Sequence, residues 1–416
     1  MKAVILAGGY GTRLYPLTMR TPKPLLPLAG KPIVEHLIES LAASGVNDLV
    51  VSIKQDQMRI AEKLGDGSAL GCKISYAVEP AASEDNKLGS VGALEYVFSR
   101  MGDPVECFVV GADNYFHGLD YRKLKEFHSS KSAHATIALY HLPDPAQAMH
   151  YGVAAVDAHG RITKFQEKPQ PGKAASALAS TAAYYLDDDF LCRHIPDYCG
   201  SARRQGKSAD RIGDLWEHYL DSLHLYGYAF RGYWGDIGNA ENYLQTDAAA
   251  LGFSKSRIIS HVPSGTVKGN GVRIGNGVKI HATAVVRGPA FIGDGVHIGK
   301  GAAVGPAVSA YNSAHIGEGA KISHSILLEH SKIGKHAAVH NTVIDGHAEI
   351  GEGANVDGST IGFRCAVGAG SHLKNCRLFP FQHAKAHSHL AGQDIGIGAG
   401  LSALQKKELG ESCYWL

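Results

Sequence analysis

The sequence contains little cysteine and little charge. Only 7 of its 416 residues are cysteines, an odd number with no CxxC pair. This argues against a disulfide framework and a zinc site, and it predicts free thiols in the reducing cytoplasm. Charged residues make up 19% of the chain, the formal net charge is +2, and no block of lysine and arginine occurs. A dedicated nucleic-acid-binding protein is therefore not expected.

Long apolar runs are absent as well. No stretch of about 18 consecutive apolar residues occurs, so the sequence predicts no membrane-spanning helix and no membrane partner. Glycine, by contrast, is in excess. The chain has 50 glycines, where an average share of about 7% would give roughly 29. The glycines are unevenly distributed, and their distribution separates two parts of the chain.

Residues 1 to about 245 alternate short apolar runs with amphipathic helical patterns. Strands are predicted over Lys2–Leu6, Asp48–Ile53, Glu106–Val110 and Ala135–Leu139, and helices over Pro32–Ala43, Val91–Arg100 and Leu119–Ser129. Repeated strand–helix–strand order is typical of a mostly parallel sheet with helices on both faces. Such sheets bind ligands beyond the carboxyl ends of their strands. We therefore predict a Rossmann-like α/β domain over residues 1–250.

From residue 257 onward, aliphatic residues recur every six positions. The series runs through Ile274, Ile280, Val286, Ile292, Ile298, Val304, Ala310, Ile316, Ile322 and Leu328, shifts by one residue, and continues through Ile333, Val339, Ile344, Ile350, Val356, Ile361, Val367 and Leu373. A period of six suits a coil with three short sides, each with one aliphatic residue pointing inward. Glycine and asparagine would supply positive φ angles at the corners. We predict a parallel β-helix of hexapeptide repeats over residues 257–416.

A glycine-rich loop, LAGGYGTRL over residues 6–14, follows the first predicted strand. Glycines after a strand let backbone amides approach a phosphate. The loop is not a Walker A motif, because no Gly-Lys-Ser/Thr follows, and not a dinucleotide fingerprint, because Leu14 replaces the third glycine. Arg13 and the proline-flanked Lys23 add two cations. These features suit a polyphosphate; the alternative is a glycine turn beside two solvated cations.

The segment LAGGYGTRLYPLT…PKPLLPLAGKP over residues 6–32 resembles the N-terminal signature of sugar-1-phosphate nucleotidylyltransferases. The resemblance implies a nucleoside triphosphate bound by the loop residues Leu6, Ala7, Gly8, Gly9, Gly11 and Thr12. It also implies that Arg13 and Lys23 contact the phosphates and the leaving pyrophosphate. The C-terminal repeats resemble left-handed β-helices, which implies that handedness here.

Two aspartates lie in glycine-containing segments, the first after a predicted strand and the second among aromatic residues. Asp113 lies in VVGADN (109–114), and Asp236 lies in YWGDIG (233–238). Each alone is typical of a turn or helix cap. Mg²⁺ binds through one or two carboxylates together with phosphate oxygens, and in the family the corresponding aspartates hold this ion. The resemblance therefore implies Mg²⁺ at Asp113 and Asp236, with Ala112 as a departure from the usual glycine.

Three further segments resemble the sugar-binding parts of the family. FQEKP (165–169) implies that Glu167 meets sugar hydroxyls and that Lys168 meets the sugar phosphate. In isolation, a charged pair before proline is more typical of a solvated edge. YGV (151–153) implies that Gly152 lies against the sugar. The asparagine that often contacts the sugar is missing from STAAY (180–184), which leaves that role open at Thr181 or Ala182.

The segment LGSVGAL (88–94) resembles the base-binding segment of mannose-1-phosphate guanylyltransferases, with Gly89 and Gly92 at the nucleotide. It favours guanine, paired with mannose 1-phosphate. The segment typical of short thymidylyltransferases is absent. A glucose-1-phosphate thymidylyl-, adenylyl- or uridylyltransferase remains open. A non-catalytic regulatory or scaffold subunit also remains open, although such relatives usually lose a loop cation or a metal-binding aspartate.

Thirteen of the 23 histidines follow residue 260. The spacing His383-x3-His387-x-His389 fits a solvated loop better than a metal site. Some hexapeptide-repeat domains are acyltransferases with a histidine base; His336 and His340 lie on the repeat, but a lysine stands where the base would be. Acyl transfer is thus the less favoured alternative. We expect stacked apolar faces of the β-helix to assemble a homo-oligomer that binds an NTP and a hexose 1-phosphate.

Overall fold

The computed structural model describes residues 1–80, 88–101, 105–397, 402 and 405. The chain packs into two compact units that do not follow its order. The first unit comprises Met1–Tyr10 and Ile33–Asp236, and the second comprises Gly11–Pro32 and the chain from Ile237 onward. The segment that begins inside the glycine-rich loop, at Gly11, therefore packs with the C-terminal part of the chain. The two domains predicted in sequence order, residues 1–250 and 257–416, remain a prediction.

Every strand and helix predicted in the N-terminal part is present, with its ends displaced by at most two residues. The strands are β1 (Lys2–Leu6), β2 (Pro27–Leu28), β3 (Lys31–Pro32), β4 (Asp48–Lys54), β5 (Lys73–Glu79), β6 (Cys107–Gly111), β7 (Asn114–His117), β8 (Ala135–His141), β9 (Gly152–Val156), β10 (Ile162–Glu167), β11 (Leu178–Leu186), β12 (Leu225–Ala229) and β13 (Tyr233–Asp236). The helices are α1 (Ile33–Ala43), α2 (Arg59–Leu64), α3 (Gly89–Phe98), α4 (Tyr121–Lys131), α5 (Ile195–Arg204), α6 (Ile212–Tyr219) and α7 (Ala240–Phe253).

Short helical turns complete this part of the chain. Turns of the 3₁₀ type lie at Thr12–Leu14, Leu17–Met19, Lys23–Leu25, Gln55–Gln57, Ser68–Leu70 and Pro145–His150, and a π-helical turn lies at Phe190–His194. In the described part of the chain, no helix is both long enough and apolar enough to cross a membrane. Six cysteines there are unpaired thiols, and Cys413 lies outside the described residues.

The first unit is built on a nine-stranded sheet with the order β10-β9-β11-β6-β1-β4-β5, in which β8 joins β11 and β12. Strands β6, β1, β4 and β5 are parallel, as predicted. Ala3, Val4 and Ile5 of β1 are all fully buried. Because successive side chains of a strand point to opposite faces, both faces are covered, which explains the continuous apolar run. Strand β11 is antiparallel to β6 and β8, so the sheet as a whole is mixed.

The second unit contains a solenoid of short strands. They are β14 (Arg257–Ile258), β15 (Val267–Lys268), β16 (Val272–Ile274), β17 (Lys279–Ile280), β18 (Val285–Arg287), β19 (Ala290–Ile292), β20 (His297–Ile298), β21 (Ala303–Val304), β22 (Val308–Ala310), β23 (His315–Ile316), β24 (Lys321–Ser323), β25 (Ser325–Leu327), β26 (Lys332–Ile333), β27 (Ala338–His340), β28 (Val343–Ile344), β29 (Glu349–Ile350), β30 (Asn355–Asp357), β31 (Thr360–Ile361), β32 (Ala366–Val367), β33 (His372–Lys374), β34 (Arg377–Leu378), β35 (His383–Ala384), β36 (His389–Ala391) and β37 (Asp394–Ile395). They stack into three parallel sheets of nine, eight and seven strands. The predicted parallel β-helix is confirmed.

The length of a solenoid turn changes part-way along the solenoid. Ile274 pairs with Ile292, 18 positions further on, whereas Ala310 pairs with Leu327, 17 positions further on. The one-residue shift in the sequence pattern thus reflects shorter turns in the later part. The inward-pointing residue of the first short turn is Leu327 and not Leu328, because one side of that turn has lost a residue.

Glycines recur where neighbouring turns approach each other at one corner of the solenoid. They are Gly299, Gly317, Gly334, Gly351 and Gly368, and we call them the glycine ladder. An added Cβ atom on Gly334 would lie 2.6 Å from the amide nitrogen of Glu352 and 2.7 Å from the carbonyl carbon of Gly351. The ladder is therefore required by the close stacking of backbones, not by a left-handed backbone conformation.

Histidine occupies several of the corners that do have positive φ. These residues are His324, His330, His336, His347 and His387. The ring of His336 lies where a side chain on Gly319 would be, since an added Cβ atom there would be 2.4 Å from His336 Nδ1. Nδ1 of His340 lies 2.7 Å from the Ser323 hydroxyl. His336 and His340, the two histidines considered above as possible acyl-transfer bases, thus each contact the preceding turn of the repeat.

We expect Gly334→Ala to destabilise the solenoid by about 1–3 kcal/mol, because the added methyl group fits only if two turns separate. Urea denaturation of the full chain measures this change. Gly252→Ala, near the end of α7, is the control, since an added Cβ atom there meets nothing within 4 Å. The control is expected to keep or slightly raise the stability. Equal stability of the two variants would contradict close packing at the ladder.

Candidate functional site

The glycine-rich loop leaves β1 at the carboxyl edge of the four parallel strands. Leu6 pairs with Gly111 of β6 and with Ser52 of β4. The carbonyl of Leu6 accepts a hydrogen bond from the Ala112 amide at 3.0 Å, and the Ala7 amide donates to the Ser52 carbonyl at 2.9 Å. These bonds continue the sheet pairing into the loop and fix the point where the chain leaves the sheet.

Gly8 lies against a buried carboxylate that the sequence analysis missed. An added Cβ atom on Gly8 would lie 2.8 Å from Oε1 of Glu79, so any larger residue at position 8 would displace this carboxylate. Glu79 ends β5, is 3% exposed, and accepts a hydrogen bond from the Ser52 hydroxyl at 2.8 Å. Burial raises the pKa of Glu79 above its ordinary value. The available sequence signal was an acidic residue closing an apolar strand directly before a proline.

The next loop residues are held by side chains from β4 and the turn after it. Nζ of the buried Lys54 lies 3.4 Å from the centroid of the Tyr10 ring, an arrangement in which the ring face attracts the cation. The Gly9 carbonyl accepts a hydrogen bond from Nε2 of Gln57 at 3.2 Å. An added Cβ atom on Gly9 would meet nothing within 4 Å. Gly8 is therefore closely packed, whereas the side of Gly9 is open.

The two predicted metal-binding aspartates lie at the ends of two paired strands: Asp236 ends β13, and Asp113 directly precedes β7. Strands β7 and β13 pair antiparallel with Asn114 opposite Asp236, and Asp113 directly precedes Asn114. Asp113 also follows β6, whose end pairs with the end of β1. Asp113 and Asp236 thus lie at the same end of the paired strands β7 and β13, and Asp113 lies next to the carboxyl edge of the parallel strands. Two adjacent carboxylates are the protein ligands that Mg²⁺ commonly uses beside phosphate oxygens and water.

A buried amide orients one of these carboxylates. Nδ2 of Asn114 donates to Oδ1 of Asp113 at 2.8 Å, and Oδ1 of Asn114 accepts from the indole nitrogen of Trp234 at 2.8 Å. Asn114 is only 2% exposed. The indole therefore fixes the amide, and the amide fixes the carboxylate. The aspartates are predicted from the sequence, whereas the hydrogen bond between Trp234 and Asn114, which are 120 positions apart, is not.

The predicted sugar-binding residues come together on β9 and β10. These strands pair with Gly152 opposite Glu167. An added Cβ atom on Gly152 would lie 2.8 Å from Oε2 of Glu167 and 2.8 Å from Cζ of Phe165. The amide of Lys168 donates to the Tyr151 carbonyl at 3.1 Å, and its side chain is exposed. Gly152 and Glu167 are therefore in contact, with Lys168 beside them at the surface.

Helix α6 contributes two residues that the sequence analysis missed. An added Cβ atom on Gly213 would lie 2.2 Å from Oε2 of Glu167. Oε1 of Glu217 accepts a hydrogen bond from the Glu167 amide at 2.9 Å. Burial raises the pKa of Glu167, and the Lys168 ammonium acts in the opposite direction. The Glu167 carboxylate is thus confined between β9 and α6, which restricts the directions in which it can accept hydrogen bonds.

The predicted base-binding segment forms the start of α3. Gly89 has a φ of +74°, and an added Cβ atom would lie 2.3 Å from Cα of Asp210. The amide of Ser90 donates to the Asp210 carbonyl at 2.9 Å. An added Cβ atom on Gly92 would lie 3.2 Å from Cβ of Leu88. Gly89 is therefore required by the contact with residue 210, whatever it also contributes to a nucleotide site.

The remaining predicted loop residues lie in the second unit. Gly11 has a φ of +65°, and its carbonyl accepts a hydrogen bond from the Thr18 hydroxyl at 2.8 Å. An added Cβ atom on Gly11 would lie 3.2 Å from Cβ of Lys23. Lys23 is 7% exposed, whereas Arg13, which follows Thr12 in a 3₁₀ turn, is exposed. The structure thus brings Gly11 and Lys23 into contact.

The two candidates for the missing asparagine contact differ in their surroundings. Thr181 is fully buried, and its hydroxyl donates to the Ala138 carbonyl at 2.9 Å, so it is not available to a sugar. Ala182 has a φ of +54° where the pairing of β11 is irregular. Its Cβ lies 3.5 Å from the Cβ position of Gly111. Of the two, Ala182 is the residue beside the strand that leads to Asp113.

Comparison with known proteins gives the family. The Nucleotidyl transferase family matches residues 2–251, more than half of the chain. The chain belongs to this family. The GMPPB C-terminal domain matches residues 286–393, within the solenoid. The family predicted from the N-terminal signature is therefore confirmed.

Named relatives agree on the type of enzyme. The chain is 31% identical to UTP--glucose-1-phosphate uridylyltransferase of Synechocystis sp., covering 80% of this chain and 84% of that protein. It is 28% identical to mannose-1-phosphate guanylyltransferase of Mycobacterium tuberculosis, covering 69% and 80%. A crystal structure named as a glucose-1-phosphate thymidylyltransferase of Bacillus anthracis has a TM-score of 0.52 at 27% identity, covering 60% and 95%. The predicted class, a sugar-1-phosphate nucleotidylyltransferase, is confirmed, while the relatives differ in base.

We expect Trp234→Phe to lower the free energy of unfolding by about 1–3 kcal/mol, because Oδ1 of Asn114 would stay buried without the indole donor. Chemical denaturation measures the loss. In an Asn114→Ala background the same change should cost much less, because the acceptor is already gone. Equal costs in both backgrounds would show that the hydrogen bond contributes nothing.

Proposed function

We propose that this enzyme transfers a nucleotidyl group from an NTP to a hexose 1-phosphate and releases pyrophosphate, with GTP and mannose 1-phosphate as its substrates. The observation that supports the proposal is the position of Asp113 and Asp236 at one end of the paired strands β7 and β13, beside the edge where the glycine-rich loop leaves the sheet. Such an edge is the usual ligand site of parallel sheets. The segment at residues 88–94 and the guanylyltransferase relative support guanine.

In this reaction an oxygen of the sugar phosphate attacks the α-phosphorus of the NTP in line. The new O–P bond forms as the bond between the α-phosphorus and the bridging oxygen breaks, and pyrophosphate leaves. No protein atom has to become covalently bound. Catalysis then consists of positioning and of stabilising the charge on the transferred and leaving groups.

Asp113 and Asp236 would hold a Mg²⁺ ion, whose chemistry is to neutralise triphosphate charge and orient its oxygens. In the described part of the chain, no group of three or more His, Cys, Asp or Glu could hold a metal ion. Substrate oxygens and water would therefore complete the coordination. Asn114 fixes the Asp113 carboxylate before substrate arrives, which reduces the reorganisation that binding requires.

The other residues divide between the two substrates. The backbone of residues 8–11 would cradle the triphosphate, and Arg13 and Lys23 would stabilise its charge and that of the leaving pyrophosphate. Glu167, confined by its neighbours, would accept hydrogen bonds from sugar hydroxyls beside Gly152. The exposed ammonium of Lys168 would bind the sugar phosphate. We also propose that the protein is cytoplasmic and that its solenoid mediates self-association into a homo-oligomer.

The substrate assignment is tested by pyrophosphate release with Mg²⁺, using GTP, dTTP, UTP, ATP and CTP against mannose, glucose, galactose and glucosamine 1-phosphates. We expect GTP with mannose 1-phosphate to give the highest kcat/KM. The highest value with UTP or dTTP would overturn the base assignment and leave the enzyme class standing. No activity in any combination would favour an unusual sugar phosphate or a regulatory subunit.

We expect Asp113→Ala to reduce turnover by at least about 100-fold, because one of the two proposed Mg²⁺ ligands is lost. Circular dichroism and gel filtration should show unchanged folding and assembly. Asp221→Ala, which removes an exposed carboxylate of the same unit, is the matched control and should retain full activity. Unchanged turnover in Asp113→Ala would refute the metal assignment.

A further inference from the structure

Arg20 makes one of the contacts between the segment Gly11–Pro32 and the solenoid. Nη1 of Arg20 donates to Oε1 of Glu329 at 3.0 Å and lies 3.7 Å from Oδ1 of Asp345. The guanidinium carbon lies 4.4 Å above the ring of Phe363. These three partners belong to three successive turns of the solenoid. Arg20 thus combines a charge-assisted hydrogen bond with a cation–π contact. We call the face of the solenoid formed by Glu329, Asp345 and Phe363 the solenoid wall.

The solenoid wall is shaped for this arginine. An added Cβ atom on Gly346 would lie 2.9 Å from Nη1 of Arg20. Asp345 is 2% exposed, although the residues that occupy the same position in the adjacent turns, Leu328 and Gly362, are uncharged. Burial raises the pKa of Asp345 to about 7 despite the opposing effect of Arg20. A buried carboxylate is costly unless it is paired, and the repeat itself does not require one here.

A second contact holds the other end of the segment. The tight turn at Ala29 and Gly30 joins β2 to β3. Oδ1 of the buried Asp247 in α7 accepts a hydrogen bond from the Ala29 amide at 2.6 Å, and Oδ2 accepts one from the Ser309 hydroxyl at 2.7 Å. The hydroxyl of Tyr311 accepts one from the Gly30 amide at 3.0 Å. Both ends of the stretch from residue 20 to residue 30 are thus fixed to the rest of the second unit.

Lys23 lies between these two contacts. Only Thr21 and Pro22 separate it from Arg20, and Pro24 follows it. Proline fixes φ and restricts the residue before it, so the backbone cannot easily absorb a displacement of Arg20. The stem of Lys23 also packs on Gly11. A movement of Arg20 on the solenoid wall would therefore be transmitted to Lys23 and to the start of the segment.

We propose that Arg20 is a positioning residue for the nucleotidyl transfer, tying Lys23 to the solenoid through Glu329, Asp345 and Phe363. The inference rests on the proposed contact of Lys23 with the triphosphate and pyrophosphate. Besides the proposed self-association, the solenoid would then have a positioning role, because its turns around residues 329–363 would set the position of the Lys23 ammonium at the NTP.

Steady-state kinetics of Arg20→Ala tests this role. We expect kcat/KM for the NTP to fall at least ten-fold, while KM for the sugar phosphate changes less than two-fold. Arg20→Lys, which keeps the charge without the planar fork, should lie between wild type and Arg20→Ala. Arg377→Ala, which removes an arginine paired with Asp394 elsewhere on the solenoid, is the control and should match wild type. If Arg20→Ala folds poorly, the double variant Arg20→Ala/Asp345→Asn, which also removes the buried carboxylate, is measured instead. The same fall in kcat/KM for the NTP is expected.

A coupling test separates positioning from a general structural effect. In a Lys23→Gln background, Arg20→Ala should change kcat/KM for the NTP less than two-fold, because the side chain it positions has been removed. The same factor in both backgrounds would overturn the inference. So would wild-type kinetics in Arg20→Ala while the wild-type enzyme is active, and this result would leave the proposed function intact.

Hydrogen exchange gives a readout that needs no turnover. Peptides covering residues 11–32 should exchange faster in Arg20→Ala than in wild type, whereas peptides covering residues 270–320 should not change. Unchanged exchange over residues 11–32 would overturn the inference even if the enzyme proved inactive with every substrate pair. Inactivity of the wild type alone would count against the proposed function instead.

Discussion

The pairing of Leu6 with both of its neighbouring strands is the constraint on which the site in the first unit depends. It places the end of β1 level with the end of β6 on one side and with Ser52 of β4 on the other. Since parallel strands leave a sheet in the same direction, the glycine-rich loop, Asp113 and the end of β5 all come to one edge. A shift of β1 by one residue would reverse its faces and separate Gly8 from the Glu79 carboxylate.

Periodicity in the sequence was sufficient to predict the local elements. The run at Lys2–Leu6 and the helical spacing of Pro32–Ala43 report directly on burial, and a period of six over many turns has no other common explanation. The position of Leu328 was mispredicted, because a period alone cannot say which side of a turn loses a residue. The pairing of Ala310 with Leu327 depends on stacking with the neighbouring turn.

The parts of the site that could not be predicted are the ones that join distant residues. Trp234 reaches Asp113 through Asn114, and Gly213 leaves the space that the Glu167 side chain occupies. Neither contact leaves a trace in the local pattern, since each residue alone is compatible with many environments. The resemblance to a family supplied the aspartates and the glutamate, but not the groups that hold them in place.

The N-terminal signature is continuous in sequence yet divided between the two compact units after Tyr10. Residues 6–10 pack as the continuation of a sheet strand, whereas residues 11–32 pack with α7 and the solenoid. A boundary drawn from sequence order would assign the whole signature to the sheet. The packing indicates instead that the solenoid is part of what shapes the segment containing Lys23. Asp345 of the solenoid and Asp247 of α7 are buried carboxyl groups that contact this segment. The second unit therefore carries groups that the solenoid repeat itself does not need.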